Sequence, residues 1–252
     1  MDDDLLASQT RAVLGAYARG MGVEATAFEG GLLTIAERPG NAPWPYLAFA
    51  VSSPGGTVLS LDPRLLDFAA RAQPRQPFVA AKAEFIRQLA ATAERLGPRV
   101  TVDGPNICWA LGQAPERPNL PAGLQYEERD AAWMNAQLAG GRFPNGAGSG
   151  AVNARAFRNR YAVVITDRAG EPVAVGGVFD SFGLAEVGVD VVPERQGEGL
   201  GAAVVAAAVR RILERGETPL YGCAADNIRS QRTARAAGFV PVFSDTVIDA
   251  VQ

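Results

Sequence analysis

The chain is 252 residues long, 48% apolar, and carries a formal net charge of −3. That composition fills one large packed domain or two modest ones, and with a pI near 5.2 it argues against a general binder of nucleic acid or other polyanions while tolerating a small cationic substrate. Histidine is absent, which excludes Ser-His-Asp and Cys-His nucleophiles and leaves a zinc site only two cysteines and carboxylates, so no metal is expected.

From the N-terminus, "LLASQTRAVLGAYARGM" has the apolar spacing of a helix. "GGLLTIAER" and "YLAFAVSS" read as strands, and "TVLSLDPRLLDFAARA" as a strand, a turn at Asp62-Pro63 and a helix. "AAKAEFIRQLAATAERLG" is a helix with a glycine stop, and "ICWALG" a closing strand. The polar stretch "GQAPERPNLPAG", residues 112–123, holds three prolines and reads as a linker. It divides the chain into an N-terminal α/β domain over 1–116, a linker over 117–122 and a second domain over 123–252.

In the second domain "LQYEERD" reads as a strand and "AAWMNAQL" as a helix. "AGGRFPNGAGSG", residues 139–150, reads as a mobile glycine-rich loop, and "AVNARAFRN" as a short helix. "YAVVITDRAGEPVAVGGVFDSFGLAEVGVDVV" gives three strands with turns at "DRAG" and "SFG". A glycine segment and its helix follow, then the strand "TPLYGCAA", the helix "RSQRTARAA" and a final strand region from Gly238. No apolar run reaches membrane-spanning length. The acidic start "MDDDLLASQ" lacks the basic character of a signal peptide. A cytoplasmic protein with Cys108 and Cys223 reduced is expected.

The glycine segment "QGEGLGA", Gln196–Ala202, follows an apolar strand that ends at Pro193. The first N–H groups of a helix have no intrahelical partner and carry the positive end of its dipole. Phosphate binds well there, and glycines let the backbone approach it without a Cβ in the way. Leu200, Val204, Ala208 and Ile212 recur every four residues and pack the helix on the sheet. The spacing is G-x-G-x-G, not the dinucleotide G-x-G-x-x-G, and no lysine follows as a P-loop requires. A helix start packed tightly on a strand explains the same glycines.

"QGEGLGA" resembles the Q/R-x-x-G-x-G/A motif of the GCN5-related N-acetyltransferases, and "PLYGCAADNIRSQRTARAAGF" resembles the second signature of that superfamily, in its FR47-like form. The likeness covers residues 124–248. It implies a mixed, splayed β-sheet flanked by helices, an α/β (α+β) fold. The loose parallel offered by "TVLSLDPRLLDFAARA" would make the first domain a degenerate half of the same kind, or a domain that helps bind the acceptor. The resemblance implies acetyl-CoA as co-substrate. The backbone at Val189 and Val191 would hold the pantetheine. N–H groups from Gln196 through Gly197, Glu198, Gly199, Gly201 and Ala202 would take the pyrophosphate. Asn227 and Ser230 would contact the cofactor from the opposite side, although Asn227 equally suits a helix N-cap and Ser230 an ordinary first turn.

Acetyl transfer to an amine needs a base for the ammonium and a fate for the leaving thiolate. In several relatives a glutamate ten residues before the motif glutamine is that base. Glu186 holds the position, and burial beside a cleft would raise its pKa. Strand alternation puts Glu186, Gly188 and Asp190 on one face, with Gly188 leaving room for substrate and Asp190 the runner-up base. Glu186 as a simple ligand for the substrate cation remains open. The tyrosine that many relatives use as acid is replaced here by Ala234; Tyr221, Cys223, Ser230 or water would take its part, Tyr221 being otherwise a core residue. Without histidine to activate Cys223, direct transfer is expected. Arg142 and Asn145 of the loop are candidate acceptor contacts; Trp44 and Trp133 read as packing.

The function expected is N-acetyl transfer from acetyl-CoA to the primary amine of a small molecule. A non-catalytic acyl-CoA sensor or interaction module, and an acyltransferase using another acyl-CoA or a hydroxyl acceptor, are the alternatives. Neither a nucleic acid nor a membrane is an expected partner; a homodimer is left open.

Overall fold

The computed structural model describes residues 1–72, 82–148 and 158–251. In chain order the elements are α1 (Asp3–Met21), β1 (Leu32–Glu37), β2 (Ala48–Ser53), β3 (Gly56–Leu61), α2 (Leu66–Ala72), α3 (Ala83–Glu94), β4 (Val100–Leu111), β5 (Gln125–Asp130) and α4 (Ala131–Ala139). They continue with β6 (Arg158–Thr166), β7 (Pro172–Ser181), β8 (Leu184–Val191), α5 (Leu200–Glu214), β9 (Pro219–Ala224), α6 (Ile228–Ala236) and β10 (Phe239–Ala250). The helix expected through "AVNARAFRN" falls outside the described residues, except for Arg158 and Asn159, which open β6. No described helix is long and apolar enough to cross a membrane.

The architecture is mixed α/β, but the compact units do not follow the linear partition at 117–122. One comprises Met1–Val13 and Trp109–Val240, the other Leu14–Cys108 and Pro241–Gln252. The proline-rich stretch belongs to the first of these and runs along its surface, mostly exposed. Gly112 and Gln113 donate their N–H groups to the Gly238 carbonyl at 2.9 and 3.1 Å. The Tyr126 hydroxyl donates to the Pro118 carbonyl at 2.9 Å, and the Arg117 guanidinium lies 4.2 Å from the Tyr126 ring centre. Polar punctuation in a sequence marks a turn in the chain, not the edge of a core.

In the unit built on residues 14–108, β1 pairs with β3 in parallel, β3 with β2 and β2 with β10 antiparallel. Asp62 accepts the Arg64 N–H at 3.1 Å and starts the turn into α2, as Asp-Pro predicts. The Arg64 side chain bonded to it holds its carboxyl below the usual carboxylate range. Phe85, Ile86, Leu89 and Ala93 line the buried side of α3 and pack with Leu47, Leu59, Leu61, Leu65 and Ile248. β4 is longer than the expected strand. The expected strand was "ICWALG"; the observed one begins at Val100 and runs through Asp103-Gly104-Pro105. A Cβ on Gly104 would lie 2.8 Å from the Asp245 carbonyl oxygen, so only glycine permits that approach to β10.

A buried carboxylate in this unit makes a measurable prediction. Asp245 accepts from the Cys108 thiol at 3.2 Å, the Asn106 amide at 3.2 Å and the Tyr17 hydroxyl at 3.5 Å. Burial nevertheless pushes its pKa up to about 6 from the ordinary 3.8, with Asp103 adding to the rise. A raised folded-state pKa stabilises below the unfolded value and loses that contribution as pH climbs through the folded one. The loss between pH 4 and pH 7 amounts to about 2 kcal/mol. The difference in thermal midpoint, Asp245→Asn minus wild type, is therefore expected to grow more positive across that window. A difference that stays constant from pH 4.5 to 7.5 would show that Asp245 is not the titrating group.

In the other unit the strands run β9-β8-β7-β6-β5. All neighbours are antiparallel except β8 and β9, which are parallel and joined by α5. Asp167 accepts the Ala169 and Glu171 N–H groups at 2.9 and 3.0 Å, and Gly170 takes φ 80, closing the β6–β7 turn at "DRAG". Leu200, Val204, Ala208 and Ile212 are all buried, so the four-residue spacing does seat α5 on the sheet. On the other face Met134, Phe143, Ala147, Val164, Val175 and Phe179 form a core, with Trp133 packed against it.

Candidate active site

The parallel pairing of β8 with β9 runs through Ala185↔Pro219 and Glu186↔Leu220. Among the described residues it ends there, although β8 continues to Val191 and β9 to Ala224. The two strands diverge and leave an opening between them. Ala185 donates its N–H to Thr218 of the β9 side at 3.0 Å, whereas Val192 donates to Val173 of the β7 side at 3.0 Å. Backbone direction alternates along a strand, so Val187, Val189 and Val191 turn their N–H and C=O groups into the opening. The Val191 carbonyl accepts the Gln196 amide from that side at 3.3 Å.

The glycine segment lies at the end of this opening. Gly197 and Gly199 have φ 88 and 79, the left-handed region that side chains disfavour. Nothing lies within 4 Å of a Cβ placed on either, so backbone conformation, not crowding, calls for glycine. Gly199 caps α5 without any side-chain hydrogen bond. The first-turn N–H groups of Leu200, Gly201 and Ala202 are thus not capped by a side chain. A Cβ on Gly201 would meet Val191, Thr233 and Val189 at 3.5, 3.7 and 3.9 Å, which places β8, α5 and α6 around one point. Gln196 is oriented by Arg229 of α6, which donates to its Oε1 at 2.8 Å. Arg195 and Glu198 form a two-bonded pair at 2.7 Å; the Arg195 bond lowers the Glu198 carboxyl.

Asn227 accepts the Ser230 N–H at 3.1 Å and caps α6, the helix-cap role its position allowed. The Ser230 hydroxyl is bonded to the Tyr221 hydroxyl at 2.8 Å. Tyr221 is a core residue, 1% exposed, and burial pushes its pKa up to about 12. Burial also raises the Cys223 thiol.

Glu186 is half-buried at the last paired position of β8. Its Oε1 lies 3.0 Å from the position of a Cβ on Gly222, so β9 has a glycine where Glu186 leans on it. Glu186 and Gly222 share one face of the strand pair, and strand alternation puts Tyr221 and Cys223 on the other. The room expected at Gly188 belongs to the protein: a Cβ there would run into the Asn145 carbonyl, and one on neighbouring Gly177 into the Gly146 carbonyl. Asp190 accepts the N–H groups of Asn145 and Gly146 at 2.7 and 2.8 Å and the Asn145 amide at 2.9 Å. The segment expected to be mobile is thus fastened to the sheet over residues 143–148, with Phe143 and Ala147 buried. Arg142, a candidate acceptor contact, lies 3.8 Å from Glu171 and over the Phe143 ring. The sequence reading missed Gly222 and the Asn145–Asp190 contact. A glycine inside the apolar strand "PLYGCA" was the available signal for the first; nothing local signals the second, which joins residues 45 positions apart.

A parallel strand pair that opens beside a glycine-initiated helix is the architecture of the GCN5-related N-acetyltransferase fold. Residues 176–245, which contain β8, α5, β9 and α6, match the family described as FR47-like protein. The chain is similar in structure to a GCN5-related N-acetyltransferase-like protein from Streptococcus suis at 17% identity and TM-score 0.50, covering 98% of this chain and all of that one. It is likewise similar to a Drosophila protein at 17% identity and TM-score 0.50, over 85% of this chain and 77% of that one. No curated protein matches the chain.

Proposed function

We propose that the β8–β9 opening binds acetyl-CoA and that the protein moves the acetyl group directly to the primary amine of a small molecule. The observation that carries this reading is the end of β8–β9 pairing at Glu186↔Leu220, beside a helix start whose donors no side chain caps. The residues present fit the cofactor. Backbone groups of Val189 and Val191 are turned to meet the pantetheine amides. N–H groups from Gln196 to Ala202 would hold the pyrophosphate, and Asn227 and Ser230 flank the far wall. Acetyl-CoA supplies an acyl group activated as a thioester.

Glu186 takes the ammonium proton, directly or through a water, so that a neutral amine attacks. Tyr221 keeps its own proton at neutral pH and shares a hydrogen bond with Ser230; water protonates the departing thiolate. A thiol whose pKa is raised makes a poor nucleophile, which favours direct transfer over an acyl-Cys223 step.

Calorimetry with acetyl-CoA is expected to give a dissociation constant between about 1 μM and 1 mM, the usual range for enzyme substrates. A panel of small amines is expected to release free thiol. Absence of acetyl-CoA binding sinks the proposal. One observation favours a second reading, a non-catalytic acyl-CoA sensor: Ala234 stands where many relatives place the acid. Binding without thiol release from any acceptor would select it. Comparing acetyl, propionyl and longer donors, and amines with alcohols, separates the remaining variants.

A further inference from the structure

The segment 143–148 has no cofactor role in the proposed reaction, yet it is fastened to β8 by three hydrogen bonds to one carboxylate. Those bonds run from Asn145 N–H, Asn145 Nδ2 and Gly146 N–H to Asp190. Two glycines on adjacent strands, Gly177 and Gly188, stand opposite each other in register and leave the space that the segment's carbonyls occupy. A Cβ on Gly146 would in turn lie 2.8 Å from the Val175 carbonyl. Three glycines and a carboxylate therefore bring two backbones into direct contact.

The contact has a direction. Strand alternation puts Glu186 on the face of β8 that carries Gly188 and Asp190, so Asn145 covers the sheet one alternate residue from Glu186. On the other side Glu186 is bounded by Gly222 of β9. Phe179, paired with Glu186, brings its ring to the Gly188 position beside the Asn145 carbonyl, so both border Glu186 along β8.

We propose that Asp190 is a positioning residue: it fixes Asn145–Gly146 as a preformed wall of the acceptor pocket and sets the affinity for the amine. This rests on the acetyl-transfer reading above. Among the described residues the hydrogen bonds of the wall to β8 all run to the Asp190 carboxylate, on the face away from Val189 and Val191, so the cofactor side is expected to be indifferent to it. Preorganised walls lower the cost of ordering substrate.

The test uses the full chain with Asp190→Ala and, because Asn145 is exposed and its loss leaves the two backbone donors in place, Asn145→Ala as a variant that keeps the fold. Asp190→Ala is expected to raise KM for the best amine at least about 10-fold while KM for acetyl-CoA stays within about 2-fold. Asn145→Ala should shift the same way by less. Amide hydrogen exchange at Asn145 and Gly146 should quicken in Asp190→Ala and stay slow in β7. Equal rises in both KM values, or an unchanged amine KM, overturn the proposal. A collapse of kcat at neutral pH that recovers in alkali would make Asp190 the base instead. Wild-type protein that acetylates no amine overturns the acetyl-transfer reading and this inference together. An active wild type whose amine KM ignores both substitutions overturns only this one.

Discussion

Glu186→Gln is expected to lower kcat for amine acetylation by about 10²-fold or more at neutral pH, the range in which a positioned base contributes. The variant preserves shape and the contact with Gly222, so acetyl-CoA affinity should hold. The pH profile carries the argument. An alkyl ammonium has a pKa near 10, so at pH 7 almost every acceptor arrives protonated and must lose a proton in the site. Near pH 10 much of the amine is already neutral. The deficit of the variant should therefore shrink steadily as pH rises. A deficit of the same size at pH 7 and pH 10 would assign Glu186 to binding the substrate cation and place the base elsewhere.

Gly199→Val is expected to abolish acetyl-CoA binding within calorimetric range, a loss of at least about 100-fold. Two causes act together. At φ 79 a branched side chain is strained by roughly 1–2 kcal/mol. The Cβ would also project where none of the described residues beyond its chain neighbours comes within 4 Å, and where the pyrophosphate would approach the α5 N–H groups. Gly201→Ala is the control. Its Cβ would rest at ordinary contact distances from Val189, Val191 and Thr233, so the thermal midpoint should hold and affinity fall little. Full retention of affinity in Gly199→Val would remove the glycine segment from the cofactor site.

The unit that carries β5 to β9 was legible because its signals are local. Period-two alternation located β6, β7 and β8, the four-residue apolar spacing located α5, and the glycines marked the start of that helix. Asn227 was readable as a cap for the same reason. What escaped was long-range. The space at Gly188 looked like room for substrate because a sequence does not say which distant backbone fills it; residues 145 and 146 do. The loop looked mobile because its glycines favour disorder in isolation, whereas Gly146 permits contact with β7; residues 149 and 150 of the expected loop lie outside the described residues. The linker looked like a boundary because proline and glycine mark turns equally well in a segment held on the surface of one unit. The first half of β4 went unread because its pattern is not apolar, and the glycine within it is set by a distant partner, the β10 backbone at Asp245.

The interleaving of the two compact units bears on how the protein is made. The unit built on residues 14–108 takes its strand beside β2 from Pro241–Gln252, a stretch that leaves a ribosome well after the rest of the unit. Until that stretch emerges, β2 presents an unpaired edge of buried apolar residues, Ala48 to Val51, of the kind that recruits other chains. Cutting the gene at the apparent linker would make that transient state permanent in residues 1–116. Domain-by-domain expression, the usual remedy for a two-domain protein that behaves badly, is thus the wrong strategy here. Any shortened chain should keep Pro241–Gln252 together with Leu14–Cys108, the segments that complete one another.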